Sequence, residues 1–560
     1  MKKEEVTMAE ATIRKKKELQ EFIDKGLWED TTYSEEWDRN ARDYPDKEAI
    51  VDCKTRLTWS QAKQAIDRLT LGFMDLGYKK DDAMVVELPG WLECILVRMA
   101  CEKAGLLVAP VLRSYRETEM KHTLALLEAK GVVIPYKFRD FDYYTMIQSI
   151  RPELPKLEHI FIVGDDVPEG CISLNKMMQE PLEQKYSPEE LERLFAKTRM
   201  PSTEVSELSH TTGTTGLPKL AEWPAVLGMV RTKDTVKKLG ITSADTVAAL
   251  APGWGGMNNP VYHGGPYVGA KMVILGHWDV AEAMKLIEKE KITYFAITPT
   301  MMRQMLDHPD FGKYDLSSVR AMMVSGAPCP PGWPREAEEK IGAKVINTYG
   351  SRDLGSTATP SHDDPPEVRW ATAGTPNSWD EIKLLDDKGN EVPKGEVGEI
   401  VVKAVTGSAG YFKNPEATKE AIGADGLFHI GDLARFDENG NLVIVGRAKN
   451  IIIRGGENIY PNEIENLLGT HPKVTQAAVV KMPDPLFGER ACAYVAVKPG
   501  EEFTLDEMVL FLKEKRIAAF KLPERLEIMD KIPMTGDGTK VALKDLETDI
   551  ADKLKAEGKI

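Results

Sequence analysis

From about residue 50 to residue 350, runs with apolar positions at helical spacing alternate with short apolar segments bounded by turn residues. "VAEAMKLIEKEKI" leads into "TYFAITP", and "PREAEEKIG" leads into "AKVINTYG". Helix followed by strand, repeated, predicts an α/β fold with parallel sheets. Loops that follow such strands are where α/β proteins bind ligands. "MVSGAP" (Met323 to Pro328) and "NTYGSRD" (Asn347 to Asp353) are predicted to be two of them. Near residue 440 the pattern changes. Asn439-Gly440 is a hairpin-turn signal between apolar runs. Pro461 then opens a short helix "NEIENLL", followed by strand candidates "TQAAVVKM" and "ACAYVAVK". Thr504 and Glu507 form a T-x-x-E capping box ahead of "MVLFLKEK". The pattern predicts a large α/β unit over residues 1–448 and a small α+β unit over 449–560, divided at the basic stretch Arg447 to Lys449.

Composition narrows the classes. At 560 residues and 42% hydrophobic content the chain buries more than one core, because single cores stop growing at roughly 250–300 residues. The N-terminus is charged throughout and lacks the apolar core of a secretory signal, and no stretch approaches the ~20 apolar residues of a membrane span. A cytoplasmic protein is expected. Six cysteines without a C-x-x-C pair suit reduced packing thiols. A formal net charge of −15 argues against a nucleic-acid partner, so any anionic ligand requires basic residues gathered locally. Oligomeric state carries no signal, and a homo-oligomer is compatible with the sequence.

One string carries chemistry directly. In "HTTGTTGLPK", Gly213, Gly216 and Lys219 fall at intervals of three, which is not the G-x-x-x-x-G-K-[ST] spacing of a P-loop. Gly213 and Gly216 allow the backbone to approach phosphate oxygens. Thr211, Thr212, Thr214 and Thr215 offer hydroxyl donors, and Lys219 offers a point charge. Alone, the string also reads as a flexible polar turn.

Four motifs occur in one order: "TTGTTGLPK" (211–219), "YGSRD" (349–353), "GDLARFDENGNLVIVGRAKN" (431–450) and the lysine of "PMTGDGTK" (533–540). Together with "GGENIYPNEIE" (455–465) they resemble the adenylate-forming superfamily of acyl-CoA synthetases, aryl-acid adenylation enzymes and luciferases. "VELPGWLECILVRMACEKAG" is most similar to the branch with cyclohexanecarboxylate-type CoA ligases and dihydroxybenzoate-activating enzymes. The resemblance implies that a carboxylate attacks the α-phosphate of ATP, releasing pyrophosphate, and that CoA then displaces AMP. It implies roles too. Asp432 and Arg447 would hold the ribose, while Gly326, Ala327 and Pro328, with Asn347, Thr348, Tyr349, Gly350 and Ser351, would enclose adenine. Asp353 stands where the family usually has the glutamate that holds Mg²⁺, a hard cation suited to a single carboxylate plus phosphates. Arg352 replaces a customary hydroxyl residue beside the α-phosphate, and either clamps phosphate or obstructs the site. Lys540 corresponds to the catalytic lysine, its register resting on "KVALKDL" (540–546), and Lys219 assists it. Lys449 corresponds to the hinge, and Gly455-Gly456 to the wall of the CoA tunnel.

The segment 250–270 resembles the acyl-pocket lining. It contains no Asp or Glu, which disfavours an amino-acid substrate. Trp254 would form an apolar wall, Asn258 and Asn259 would line the pocket, and Gly255, Gly256, Gly264 and Gly265 leave room. A compact cyclic or aromatic acid is expected, with a short or medium fatty acid as the alternative. Leu220, Ala225, Ile430 and Asn450 depart from the common pattern. Two rival readings stay open: an adenylating enzyme that loads a carrier protein, and a non-catalytic nucleotide binder.

Overall fold

In a strand buried on both faces, alternate side chains enter different cores, and this alternation sets the layering here. In the strand Thr246–Ala249, Val247 and Ala249 enter one core while Ala248 enters another. Met84 and Val86 of Ala83–Val86 join that first core from a second sheet, and Val85 faces away into a third. This computed structural model, which describes residues 12, 16–211, 217–251, 253, 256–330, 332–423, 425–535 and 541–560, is therefore built on two sheets facing each other across shared helices.

The first sheet runs 344–347, 321–324, 294–297, 246–249, 271–274, 48–51, 56–58 in spatial order, and the second 220–224, 205–210, 107–110, 83–86, 131–135, 159–163, 172–173. Neighbours are parallel in both, except for Arg56–Thr58 at one edge of the first and Leu220–Pro224 at one edge of the second. The α/β class and the helix-then-strand rhythm are observed. The helix Val280–Glu290 precedes Tyr294–Ile297, and Gly332–Ile341 precedes Lys344–Asn347. One expected loop is partly a strand: Tyr349–Ser351 pairs antiparallel with Gly355–Thr359, because Gly355 at φ +64° turns the chain back on itself.

The helix Leu92–Ala104 lies between the sheets and ends at Gly105 in the left-handed region (φ +76°). It has no solvated face, yet carries Glu93, Arg98, Glu102 and Lys103, all buried. Buried charges persist only when paired. Lys103, 1% exposed, has its ammonium 2.6 Å from Asp38 and 2.7 Å from Asp67, and Arg199 closes on Asp38 at 2.6 Å. The carboxylate of Glu102 accepts the Ser34 N–H at 2.6 Å.

A four-stranded antiparallel sheet, Asp380–Leu385, Gly398–Ala404, Phe428–Phe436 and Leu442–Arg447, follows in sequential order. The Asn439-Gly440 turn joins its last two strands. Asp437 Oδ1 accepts the Asn439 and Asn441 N–H groups, both at 2.8 Å, and Gly440 takes φ +82°. After one turn of 3₁₀ helix at Ala448–Asn450, the long hairpin Val474–Asp484 and Gly488–Val497 forms the centre of the five-stranded C-terminal sheet, completed by Ile452–Arg454, Glu457–Ile459 and Arg525–Met529. Helices Pro461–Leu468 and Leu505–Glu514 cover one face and Leu543–Ala556 the other. Thr504 Oγ1 accepts the Glu507 N–H at 3.2 Å as the capping box requires, while the Glu507 carboxylate pairs with Lys473 at 2.8 Å.

Replacing Lys103 by methionine takes from buried Asp67 and half-buried Asp38 the ammonium they share, leaving Lys63 on the first and Arg199 on the second. The expected cost is about 3–5 kcal/mol, read as a lowered unfolding midpoint in calorimetry. Lys121→Met, which breaks an exposed pair with Glu153, is expected to cost no more than ~1 kcal/mol.

Candidate active site

The carboxyl ends of parallel strands from both sheets open on one cavity of about 780 Å³. The first sheet contributes Gly253, Gly276, Thr298, Ser325 and Thr348, each just past a strand end. From the second sheet come Leu88, Val111 to Arg113, and Thr211.

At one side stand Thr211 and Lys219. The Thr211 N–H donates to the Lys219 carbonyl at 2.8 Å, extending the pairing of His210 with Leu220. Thr212, Gly213, Thr214, Thr215 and Gly216 lie outside the described residues, as does Lys540. Lys219 Nζ sits 5.2 Å from the centroid of the Tyr411 ring. The Tyr411 hydroxyl is within hydrogen-bonding reach of the Asp353 carboxyl. Burial raises that carboxyl above its ordinary value, against the opposing pull of Tyr411, Lys219 and Arg352. Asp353 Oδ1 is buried and accepts no hydrogen bond from the described residues. An orphaned hard oxygen beside a phosphate-type lysine fits Mg²⁺ held by a single carboxylate, with the remaining ligands from phosphate and water. Among the described residues there is no cluster of three or more His, Cys, Asp or Glu that could hold a metal by itself.

Arg352 lines the cavity and faces Tyr115 and His210. Burial, then the Arg352 charge, pushes His210 down to about 3, so its ring is neutral. Its Nδ1–H donates to the Pro110 carbonyl at 3.1 Å.

Across the cavity, Arg447 on the wall and Asp432 behind it are cross-strand partners in the register set by the 437–441 turn. Arg447 Nε lies 2.8 Å from Asp432 Oδ1, and Asp432 Oδ2 accepts the Tyr349 hydroxyl at 2.5 Å. The Arg447 contact is an ion pair without hydrogen-bond alignment, so Oδ1 keeps its capacity to accept. Gly326 (φ +92°) lies on the wall, where an added Cβ would come 3.1 Å from Met257 Cε. Ser325 Oγ donates to the Thr348 carbonyl at 3.1 Å and ties the two loops together. Gly350, Ser351, Arg352 and Asp353 line the cavity. Ala327, Pro328, Asn347, Tyr349 and Asp432 are not on its wall. Asn347 is drawn away by its contact with the Trp370 carbonyl, and Tyr349 packs toward the core of the antiparallel sheet.

The predicted hinge and tunnel residues are away from this wall. Burial and the neighbouring Arg447 hold the Lys449 ammonium below its ordinary value, while Asp432 and Glu547 oppose them. Gly455 (φ +58°) and Gly456 (φ +92°) form the turn between Ile452–Arg454 and Glu457–Ile459, a conformation that calls for glycine at both positions.

In the segment predicted to line the acyl pocket, Asn258 Nδ2 donates to the carbonyls of Ala251 at 3.1 Å and Gly253 at 3.0 Å, and Asn259 lies beside it on the wall. Trp254 and Gly255 lie outside the described residues. The inference from a carboxylate-free segment needs correction. Residues 250–270 contain no acid, but Glu207 lines the same cavity from the strand Val205–His210, paired with Arg98 Nε at 2.5 Å. Sequence reading also missed Tyr33, His263 and Tyr411. The one signal was Arg98 itself, a charge within a helix that has no polar face.

The profile of the AMP-binding enzyme family matches residues 37–412, and that of the AMP-binding enzyme C-terminal domain matches 463–539. The chain is 31% identical over 531 residues to the medium-chain fatty-acid–CoA ligase of Escherichia coli (strain K12), covering 92% of this chain and 90% of that one. It is 31% identical over 534 residues to the 2,3-dihydroxybenzoate-AMP ligase of Bacillus subtilis (strain 168), covering 95% and 96%. The crystal structure of the anthranilate CoA ligase AuaEII in complex with anthranoyl-AMP superposes with a TM-score of 0.83 at 23% identity, covering 94% and 98%.

Removing a charged acceptor of hydrogen bonds costs about 1.5–3 kcal/mol, so Asp432→Ala is expected to raise the KM for ATP about ten- to hundredfold, measured by pyrophosphate release. Because burial raises the Asp353 carboxyl, protonation competes for it at a higher pH than for an ordinary aspartate. Apparent Mg²⁺ affinity should therefore fall as pH is lowered toward 5, and Asp353→Asn should weaken Mg²⁺ use and flatten that dependence.

Proposed function

The chain belongs to the AMP-binding enzyme family of adenylate-forming acid–thiol ligases, and from that premise we propose that it is an AMP-forming acyl-CoA ligase for a compact cyclic acid. The observation that carries this reading is one cavity with two unlike polar sides. The Asp432–Arg447 pair suits a ribose, and the Lys219–Tyr411–Asp353 group suits phosphates. A carboxylate oxygen of the acid attacks the α-phosphorus of ATP as the bond to pyrophosphate breaks. The CoA sulfur then attacks the acyl carbon, and AMP departs with the bonding electrons.

Each residue has a task in that sequence. Asp432 accepts from the ribose hydroxyls, and Arg447 orients the carboxylate. Lys219 and the threonine-rich segment 211–216 neutralise the pyrophosphate side. Mg²⁺, held by Asp353, would screen phosphate charge. Lys540 stabilises the charge that develops between the carboxylate and the α-phosphate, a contribution worth about 10²–10³ in rate. Lys449 is the pivot about which residues 449–560 turn to bring Gly455-Gly456 to the pantetheine arm. No helix among the described residues is long and apolar enough to cross a membrane, and we place the reaction in the cytoplasm.

The direct test measures AMP and pyrophosphate with ATP, Mg²⁺ and a panel of ring and straight-chain acids, with and without CoA. CoA-dependent turnover of ring acids is expected. Turnover of straight chains alone would overturn the compact-acid reading, and adenylate without thioester would point to a carrier-protein acceptor. The two half-reactions should also separate. Lys540→Ala is expected to abolish adenylation while sparing thioester formation from pre-made acyl-AMP, and Lys449→Pro to do the reverse. Equal loss of both half-reactions in both variants would refute the pivot.

A further inference from the structure

The acyl side of the cavity contains an ion pair where a hydrocarbon-binding pocket needs none. Trp91, Cys94, Ile95 and Arg98 form one stripe at the N-terminal end of the helix Leu92–Ala104, and all four line the cavity. The first three are an aromatic and two small apolar groups, and the fourth is a guanidinium whose side chain is 4% exposed. Opposite it, alternation along Val205–His210 and the next residue puts Glu207, Ser209 and Thr211 on the cavity side. At ~3.3 Å per residue, Glu207 lies about 13 Å along the chain from Thr211, away from the phosphate side.

Glu207, His263 and Tyr33 hold Arg98. Its Nε lies 2.5 Å from Glu207 Oε2, its Nη1 lies 2.6 Å from His263 Nε2, and its guanidinium carbon lies 4.2 Å from the centroid of the Tyr33 ring. Arginine has only donors, so His263 Nε2 accepts and the neutral ring carries its proton on Nδ1. Tyr33 closes the group from behind, its ring 4.4 Å from that of His263. It fits there because Gly228 has no side chain: a Cβ would fall 1.6 Å from the Tyr33 hydroxyl oxygen.

Resting on the ligase reading above, we propose that Arg98, Glu207 and His263 form a specificity floor that selects a ring acid bearing a neutral hydroxyl on the side away from its carboxyl. Elimination by charge decides the group. A hydrocarbon end would lie against a buried ion pair and offer it no hydrogen bond. An ammonium end would meet Arg98, and a second carboxylate would meet Glu207. A hydroxyl meets both, because it donates to the carboxylate and accepts from the guanidinium or the imidazole N–H. The apolar stripe formed by Trp91, Cys94 and Ile95 takes the body of the ring.

The test uses the wild-type chain first. Pyrophosphate release is compared for benzoate against 3- and 4-hydroxybenzoate, for cyclohexanecarboxylate against its 3- and 4-hydroxy derivatives, and for terephthalate and 4-(aminomethyl)benzoate. A pocket built to hydrogen-bond a hydroxyl rejects the analogue that lacks it strongly, so a kcat/KM preference of at least about 10² for one hydroxy acid of a pair is expected. In Arg98→Met/Glu207→Leu, an apolar replacement of a kind that buried pairs often tolerate, the preference should collapse as the unsubstituted acid improves. Glu207→Gln, which keeps the shape, should reduce it. This second variant carries the test if calorimetry shows the double variant unfolded. Equal or better turnover of the unsubstituted acids by the wild type overturns this inference alone, as does a preference unchanged in the folded variants. Pyrophosphate release with none of the acids overturns the ligase reading, and this inference with it.

Discussion

A parallel strand buried on both faces meets a ligand only at its ends, and this constraint organises the molecule. Both parallel sheets point their carboxyl ends at the same space, so loops far apart in sequence arrive at one cavity. Thr211, Thr298, Ser325 and Thr348 each lie within one or two residues of a strand end, where the ladder stops using backbone and side-chain positions. The shared helical layer holds the two sheets in this relation. Its central helix is fixed by ion pairs as well as by packing, because the buried Lys103 ammonium bridges Asp38 and Asp67.

The antiparallel sheet solves a different problem. A ribose site of the kind proposed needs a carboxylate held at a fixed place, and the hairpin closed by Asp437, Asn439 and Gly440 sets the register that brings Arg447 opposite Asp432. Tyr349 reaches the same carboxylate from the β-hairpin beyond the first sheet. Three elements thus meet on one side chain. The chain enters its C-terminal unit only two residues beyond Arg447, so the proposed pivot at Lys449 adjoins the most tightly held polar group of the site.

A chain with a net charge of −15 concentrates positive charge where it is used. Lys219, Arg352 and Arg447 line the cavity, with Asp353 near Lys219 and Arg352, and Arg98 lines it beside Glu207. Their pairing differs in kind. Arg98 and Glu207 neutralise each other, which leaves the acyl side polar but uncharged. Asp353 keeps an oxygen without a hydrogen bond from the described residues, which suits it to take a cation.

Sequence alone determined what depends on local spacing. The helix and strand periods predicted α/β layers, and Asn439-Gly440 predicted a hairpin because few dipeptides adopt that turn. Four ordered motifs pointed to adenylate chemistry. Tertiary structure decided what depends on distant residues meeting. Nothing near Arg98 announces Glu207, more than a hundred residues away, because an ion pair between a helix and a strand leaves no period in either. Nothing in "NTYGSRD" tells the wall residues Thr348 and Gly350 from Tyr349, because which way a side chain turns is set by the core behind it. The absence of acids from residues 250–270 said little about the cavity, since another strand supplies the carboxylate. Local physics writes secondary structure and motif, whereas the chemistry of a cavity wall is the sum of every element that reaches it.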